Sequence, residues 1–190
     1  MIKRWLRRMG LGAAIAAALA GTWAGYMRLT GNFHSVEEGM IYRSGQLSGE
    51  QFDSRIREHG IRTNINLRGN NKGASWYDNE MKISMASGVR HVDFPLSARH
   101  EWTDSQIDEL VILLRDSPRP LLIHCEAGAD RSGMASAIYK LFVAGLPPDE
   151  ASGQLSLSYG HFPWLFNSTA AMDRTFERIR TRKSALQSKN

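Results

Sequence analysis

Leu121-Leu122-Ile123-His124-Cys125-Glu126-Ala127-Gly128-Ala129-Asp130-Arg131-Ser132-Gly133 is the stretch on which the reading of this chain turns. Its first three residues are a continuous apolar run behind Pro120, as in a short buried strand. Met134 and the residues after it have the composition of a helix. Between them lies a loop with one thiol, five residues and an arginine. The strand fixes one end of this loop. The helix start turns N–H groups inward, and its dipole favours an anion. Arg131 offers a planar fork that grips two phosphate oxygens. Cys125 lies where that positive field favours the thiolate, the nucleophilic form. Gly128 lets the backbone come close or take a positive φ. The pattern points to binding and cleavage of phosphate esters, with Glu126, Ala127, Gly128, Ala129, Asp130 and Arg131 as the phosphate cradle. Plainer readings stand beside it: a buried inert thiol, an ion-paired arginine, a structural histidine, and Ser132 as the N-cap of the next helix.

Outward from the loop, strands alternate with helices. Residues 40–43, 61–67, 89–96 and 121–123 read as strands. Ser48-Gly49-Glu50-Gln51 and Thr103-Asp104-Ser105-Gln106 are capping boxes, each opening a helix. The first helix stops at Gly60, and the second places Ile107, Leu110, Val111 and Leu114 at helical spacing. Residues 75–87 form a weaker helix, and further helices cover 132–144, 148–157 and 168–186. This alternation predicts an α/β fold with a central, mostly parallel sheet flanked by helices, in one domain over 33–187. Such folds hold ligands at the carboxyl ends of their strands, where the 124–133 loop falls.

The N-terminus is built differently. Lys3, Arg4, Arg7 and Arg8 precede an uncharged run from 9 to 27, rich in Ala, Gly and Leu, that Arg28 closes. A basic flank before an apolar run is the pattern of a secretory signal, and Ala18-Leu19-Ala20 before Gly21 offers small residues for cleavage. The run is also nearly long enough to span a bilayer as a hydrophobic helix. Residues 1–28 therefore read as a signal peptide or a transmembrane anchor, and either outcome exports the domain. Residues 29–190 carry 19 basic and 19 acidic groups, so the formal net charge of +5 belongs to the leader. That balance gives no argument for nucleic-acid binding by the domain. The six histidines show no zinc-type spacing, and neither a metal nor a cofactor is expected. With Cys125 as the one cysteine, no disulfide within the chain is possible.

His124-Cys125-x5-Arg131-Ser132-Gly133 resembles the phosphate loop of cysteine-dependent protein phosphatases, in particular the dual-specificity branch of the tyrosine phosphatase superfamily. Tyr42-Arg43-Ser44-Gly45-Gln46-Leu47, Asn66-Leu67-Arg68-Gly69 and Phe94-Pro95-Leu96-Ser97 fall in the order seen in compact bacterial members, so the resemblance covers about residues 33–165. It is most like the membrane-anchored or periplasmic tyrosine phosphatases of Gram-negative bacteria. The resemblance implies hydrolysis of phosphotyrosine, with phosphoserine and phosphothreonine also open, through a phosphocysteine on Cys125. It implies that His124 supports the thiolate and that the Ser132 hydroxyl helps it leave. It implies a phosphorylated envelope or membrane protein as partner, and a site anchored in the inner membrane facing the periplasm, or periplasmic after cleavage. A lipid or small-molecule phosphatase and a non-catalytic phosphate-binding module are the alternatives.

The general acid departs from the family pattern. Relatives tend to place an Asp after the Pro-Leu-Ser-like segment, where this chain has Ala98. The candidates are Asp93, inside a strand, then His100, Glu101 and Asp104 just beyond, and Asp130, immediately before the loop arginine. Trp76, Tyr77, Trp102, Phe162 and Trp164 are candidates for a pocket mouth, with the core as their ordinary alternative.

Overall fold

The alternation is borne out in a computed structural model that describes residues 2–164 and 169–187. A long helix α1 (Ile2–Thr30) leads into β1 (His34–Glu37) and β2 (Ile41–Ser44). Then come α2 (Gly49–His59), β3 (Thr63–Asn66), α3 (Ser75–Ala86), β4 (Arg90–Asp93), α4 (Asp104–Asp116) and β5 (Leu121–His124). α5 (Asp130–Ile138) runs on into a π-helical turn, Tyr139–Val143, before α6 (Pro148–Ser152), a 3-10 turn at Leu157–Tyr159 and α7 (Ala170–Gln187).

The sheet order is β1-β2-β5-β3-β4, with β2, β5, β3 and β4 parallel and β1 antiparallel at one edge. β5 is therefore central, and the loop that follows it leaves from the middle of the sheet. Successive side chains of a strand face opposite sides. On β5, Leu121 and Ile123 join the core packed by α4, α5 and α7, while Leu122 joins Phe52 and Ile56 of α2 on the other face. The same register sets Asn64, Asn66, His91, Asp93 and His124 in line across β3, β4 and β5, on the face that carries Leu122. A polar layer thus lies between the sheet and α3.

Both predicted capping boxes form. Gln51 N–H donates to Ser48 Oγ at 3.2 Å, and Gln106 N–H donates to Thr103 Oγ1 at 3.2 Å. Gly60 ends α2 with φ +63°, as its position in the sequence predicts. Four local expectations change. β1 was not anticipated: only Val36 in His34-Ser35-Val36-Glu37 is buried, so an edge strand left almost no apolar signal. The expected strand 89–96 ends at Asp93, and Pro95, which has no N–H, sits in the loop beyond it. The expected helix 148–157 stops at Ser152, just before Gly153. α5 starts at Asp130 rather than 132, so Ser132 lies inside the first turn and is not its N-cap.

The end of α1 is bonded into the domain. Asn32 N–H donates to Met27 O at 2.8 Å, Gly45 N–H to Gly31 O at 2.8 Å, and Gln51 Nε2 to Leu29 O at 2.7 Å. Within α1, Arg8–Thr30 is long and apolar enough to cross a membrane.

Ile123 is fully buried beneath the functional loop. Ile123→Ala is expected to cost about 2–5 kcal/mol of stability, read as a lower midpoint in urea denaturation.

Candidate active site

The loop after β5 is held from outside by a row of donors. A trans peptide points its C=O and the next N–H in opposite directions. Gln46 N–H donates to Glu126 O at 2.9 Å, and Asn32 Nδ2 to Ala127 O at 3.0 Å. Arg43 Nη2 donates to Gly128 O at 2.8 Å and to Ala129 O at 3.0 Å. Four successive carbonyls are thereby turned outward, so the N–H groups of residues 127–130 face the inside of the loop. Gly128 N–H shows the result: it donates to Cys125 Sγ at 3.2 Å. These amides and the start of α5 form a concave anion site with the sulfur at its floor.

Two glycines make the close approach possible. Gly128 has φ +76°, and a Cβ there would fall 2.4 Å from the Gly45 nitrogen. A Cβ on Gly45 would fall 3.0 Å from Glu126 O. The Tyr42–Leu47 segment and the loop pack backbone to backbone.

Arg43 is the frame of this arrangement. It is fully buried, and its Nη1 also donates to Gln154 O at 2.7 Å and Gln154 Oε1 at 3.1 Å. Tyr159 lies under its guanidinium, 4.2 Å to the ring centre. Burial pulls its pKa down to about 10, against the support of nearby negative groups headed by Cys125, so it stays charged at neutral pH.

Arg131 is aimed by backbone. Its Nη1 donates to Leu67 O at 3.2 Å and Leu96 O at 3.4 Å. The Asn66–Gly69 and Phe94–Ser97 segments thus position the clamp. Ser132 Oγ donates to Ser44 O at 3.1 Å. A pocket of about 420 Å³ opens over Cys125 and Arg131, closed on one side by residues 96–99. Ala98 lines it, at the place where the family resemblance implies an Asp.

The acid candidates separate. Asp130 lines the pocket, as does Glu126. Asp93 lies in the polar layer under α3: Tyr77 Oη donates to it at 2.5 Å, Asn66 Nδ2 at 2.9 Å, and His91 Nε2 is 3.1 Å away. Burial and the Asp93 carboxylate push the Tyr77 hydroxyl up to about 12. Glu101 pairs with Arg174 at 2.6 Å, and Asp104 pairs with Arg178. His100 is exposed, its N–H donating to Ser97 Oγ at 3.1 Å. Of the aromatics, Trp102 and Tyr77 are core, and Trp76 stacks against Arg68 at 3.7 Å. Phe162 and Trp164 lie away from this pocket, beside α1.

His124 Nε2–H donates to Glu80 Oε1 at 3.0 Å. Glu80 also accepts from Gln46 Nε2 at 2.7 Å and Asn64 Nδ2 at 2.9 Å. Burial works against the ionised Glu80 carboxyl, but the hydrogen bonds from His124 and Gln46 hold it below the usual carboxylate range. On the far side of the loop, His161 is buried between two carboxylates, Nδ1 at 2.7 Å from Asp130 and Nε2 at 3.0 Å from Asp173. Carboxylates only accept, so both ring nitrogens carry protons and His161 is an imidazolium. Burial opposes that charge, yet the pair of acids raises its pKa. Neither Glu80 nor His161 was singled out in the sequence. Each lies in an ordinary helix or loop context, and only the fold brings it to the loop. Arg43 did have a signal: a cation inside a strand whose neighbours are apolar or small.

The model of the DSP-PTPase phosphatase fused to NAD+ kinase family matches residues 24–165. The chain belongs to this phosphatase family. Its match begins inside α1, in keeping with the bonds that tie the helix end to the domain. A search of curated proteins finds no match. Among solved structures, P. aeruginosa TpbA in complex with pTyr superposes with TM-score 0.60 at 16% identity, covering 81% of this chain and 91% of that one. PTPMT1 superposes with TM-score 0.63 at 15% identity, covering 83% and 99%. Tk-PTP superposes with TM-score 0.60 at 18% identity, covering 78% and 97%. At these identities the likeness is one of fold. The phosphatase is thus a cysteine-based member of the dual-specificity and tyrosine phosphatase superfamily.

A histidine whose folded pKa is raised adds stability below its ordinary value, and loses it as pH rises through the folded value. His161→Gln is therefore expected to be most destabilising near about pH 5 and least near about pH 9. Urea denaturation of both proteins across that range measures the closing gap.

Proposed function

We propose that this phosphatase hydrolyses phosphotyrosine on exported or membrane proteins through a phosphocysteine intermediate. The observation that carries the reading is the row of outward-held carbonyls, which aims four N–H groups at the space above Cys125. A phosphoryl group bound there has its equatorial oxygens against these amides and the Arg131 fork, in place before charge redistributes. The Cys125 thiolate attacks phosphorus as the bond to the tyrosyl oxygen breaks. Water then attacks the phosphocysteine, its proton passing through Asp130 back to His161, the P–S bond breaks, and phosphate leaves with the thiolate restored. His124 acts through Glu80 and the strand end to keep the loop in shape. Ser132, in the first turn of α5, is the hydroxyl that eases thiolate departure; its Oγ and the Cys125 N–H both donate to Ser44 O.

Asp130 is the group placed to protonate the departing tyrosyl oxygen. It lines the pocket and accepts a hydrogen bond from the His161 imidazolium, whose proton passes through Asp130 to the tyrosyl oxygen as it departs, leaving His161 neutral. The likeness to TpbA, whose structure was solved with pTyr, supports the choice of substrate. No metal or cofactor enters these steps. The catalytic domain extends over 33–187, and residues 1–28 act as its membrane anchor, the Arg8–Thr30 stretch of α1 having the length and composition to span a bilayer. The domain then faces the periplasm.

Cys125→Ser is expected to abolish turnover of p-nitrophenyl phosphate, and EDTA to leave the wild type unchanged. Asp130→Asn should lower kcat on a phosphotyrosyl peptide by about 10²-fold, and much less on p-nitrophenyl phosphate, whose leaving group needs little help. Equal losses on both substrates would remove Asp130 from the acid role.

A further inference from the structure

One aromatic face of the domain is unused by the chemistry described so far. Trp23 of α1 meets Phe162 edge-on, ring centres 5.7 Å apart, and Phe162 meets Trp164 at 5.9 Å. Trp164 is 67% exposed, and Tyr26, three residues after Trp23 on α1, is 60% exposed. Leu157, which opens the turn ending at Gly160, is also exposed. Gly160 packs this turn against α1: a Cβ there would lie 3.7 Å from Trp23 and 3.7 Å from Ala129 of the phosphate loop. An exposed aromatic cluster continuous with a membrane-length helix has the composition of an interfacial belt.

The spacing along α1 sets its height. Trp5 and Trp23 are separated by about 27 Å of helix axis, close to the ~30 Å of a bilayer's hydrocarbon core. With Trp5 at one boundary and Arg8, one turn further in, snorkelling back to the headgroups, Trp23 lies at the other, with Phe162 against it and Trp164 against Phe162. Thr30, where α1 enters the domain, lies roughly 10 Å further along the axis. That is the height of the headgroups, and Asn32 there bonds directly to the loop at Ala127 O. A groove of about 780 Å³ runs from α1 to the loop, apolar at Trp23, Met27 and Phe162 and cationic at Arg28 and Arg68. Its mixed lining, in which Glu126 is the one acid, offers apolar contact to acyl chains and two cations to lipid phosphates.

We propose that this aromatic face seats the catalytic domain on the headgroup layer of the bilayer that holds α1. The phosphate loop then works at a fixed height, on phosphate groups displayed at the lipid surface. Gly31 and Asn32 form a short, bonded link from helix to loop, so the seat and the site move as one body. The inference rests on α1 being a retained anchor.

The test uses the full chain in nanodiscs containing lipids brominated near the carbonyl end of their acyl chains. Trp→Phe variants at positions 23 and 164 assign the quenching. The expected result is that bromine quenches Trp164 about as strongly as Trp23. Quenching of Trp23 with Trp164 still open to aqueous iodide would overturn the seat while leaving the anchor intact. If neither is quenched, α1 is not in the bilayer, and the anchor reading falls together with the seat. A second arm combines Leu157→Ser with Trp164→Ser. Hydrolysis of a lipid-tethered phosphotyrosyl peptide in the same nanodisc should fall about five-fold or more, with turnover of soluble p-nitrophenyl phosphate unchanged. Equal turnover of the tethered peptide by variant and wild type would overturn the proposal. A wild type inactive on p-nitrophenyl phosphate would instead sink the phosphatase mechanism, which the quenching arm does not depend on.

Discussion

A single buried guanidinium governs the shape of the active loop. Arg43 reaches from β2 to the carbonyls of Gly128 and Ala129 and to Gln154, with the Tyr159 ring under its plane and no exposure to solvent. Burying such a charge is unfavourable unless acceptors surround it, and a loop carbonyl with its donor removed would be left unsatisfied in the interior. Each side therefore requires the other. The requirement fixes two peptide planes, and Asn32 and Gln46 fix the two before them. The anion site is the reverse side of this outer hydrogen bonding. A phosphate entering it meets donors whose orientation the fold has already set, which is the condition for strong electrostatic stabilisation.

This dependence explains what the sequence revealed and what it hid. The strand, the loop and the following helix were legible because each has a local cause: an apolar run, a glycine, a helix start. The two capping boxes were legible for the same reason, and both formed. Cys125 and Arg131 declared themselves by their mutual spacing. The partners that shape the loop did not. Asn32 and Arg43 lie more than eighty positions before the carbonyls they hold, and Glu80 more than forty before His124. No local period marks such pairs. The motif segments Tyr42–Leu47, Asn66–Gly69 and Phe94–Ser97 were visible as segments, but their work was not: the first supplies donors to loop carbonyls, and the other two supply carbonyls to Arg131. Strand β1 was hidden because an edge strand buries little.

The sheet register also sorts the carboxylates. Asp93 has a permissible place in the linear sequence for an acid, but its strand position pairs it with Asn66 and turns it under α3, toward Tyr77 and His91. Asp130 lies on the helix that begins at the loop, so its side chain borders the pocket by construction. Linear distance from the cysteine thus does not say which carboxylate borders the pocket, whereas the face of the strand and the first turn of α5 do.

Two histidines flank the loop, each tied to carboxylates, and they differ in consequence. His124 gives one N–H to Glu80, an anion shared with Gln46 and Asn64 and kept far from the pocket. That bond can orient the strand end but has no path to substrate. His161 gives one N–H to Asp130, which does border the pocket, and the other to Asp173. An imidazolium between two acids holds one excess proton in a water-poor place, and the Asp130 side is the side that opens on substrate. Ala98 and Asp130 both line the pocket, and of the two only Asp130 can carry a proton, which is why the proposed mechanism draws the leaving group's proton from the loop. In the mechanism proposed above, the Asp130–His161–Asp173 chain supplies it from behind, through the neighbour of Arg131, the proposed phosphate clamp.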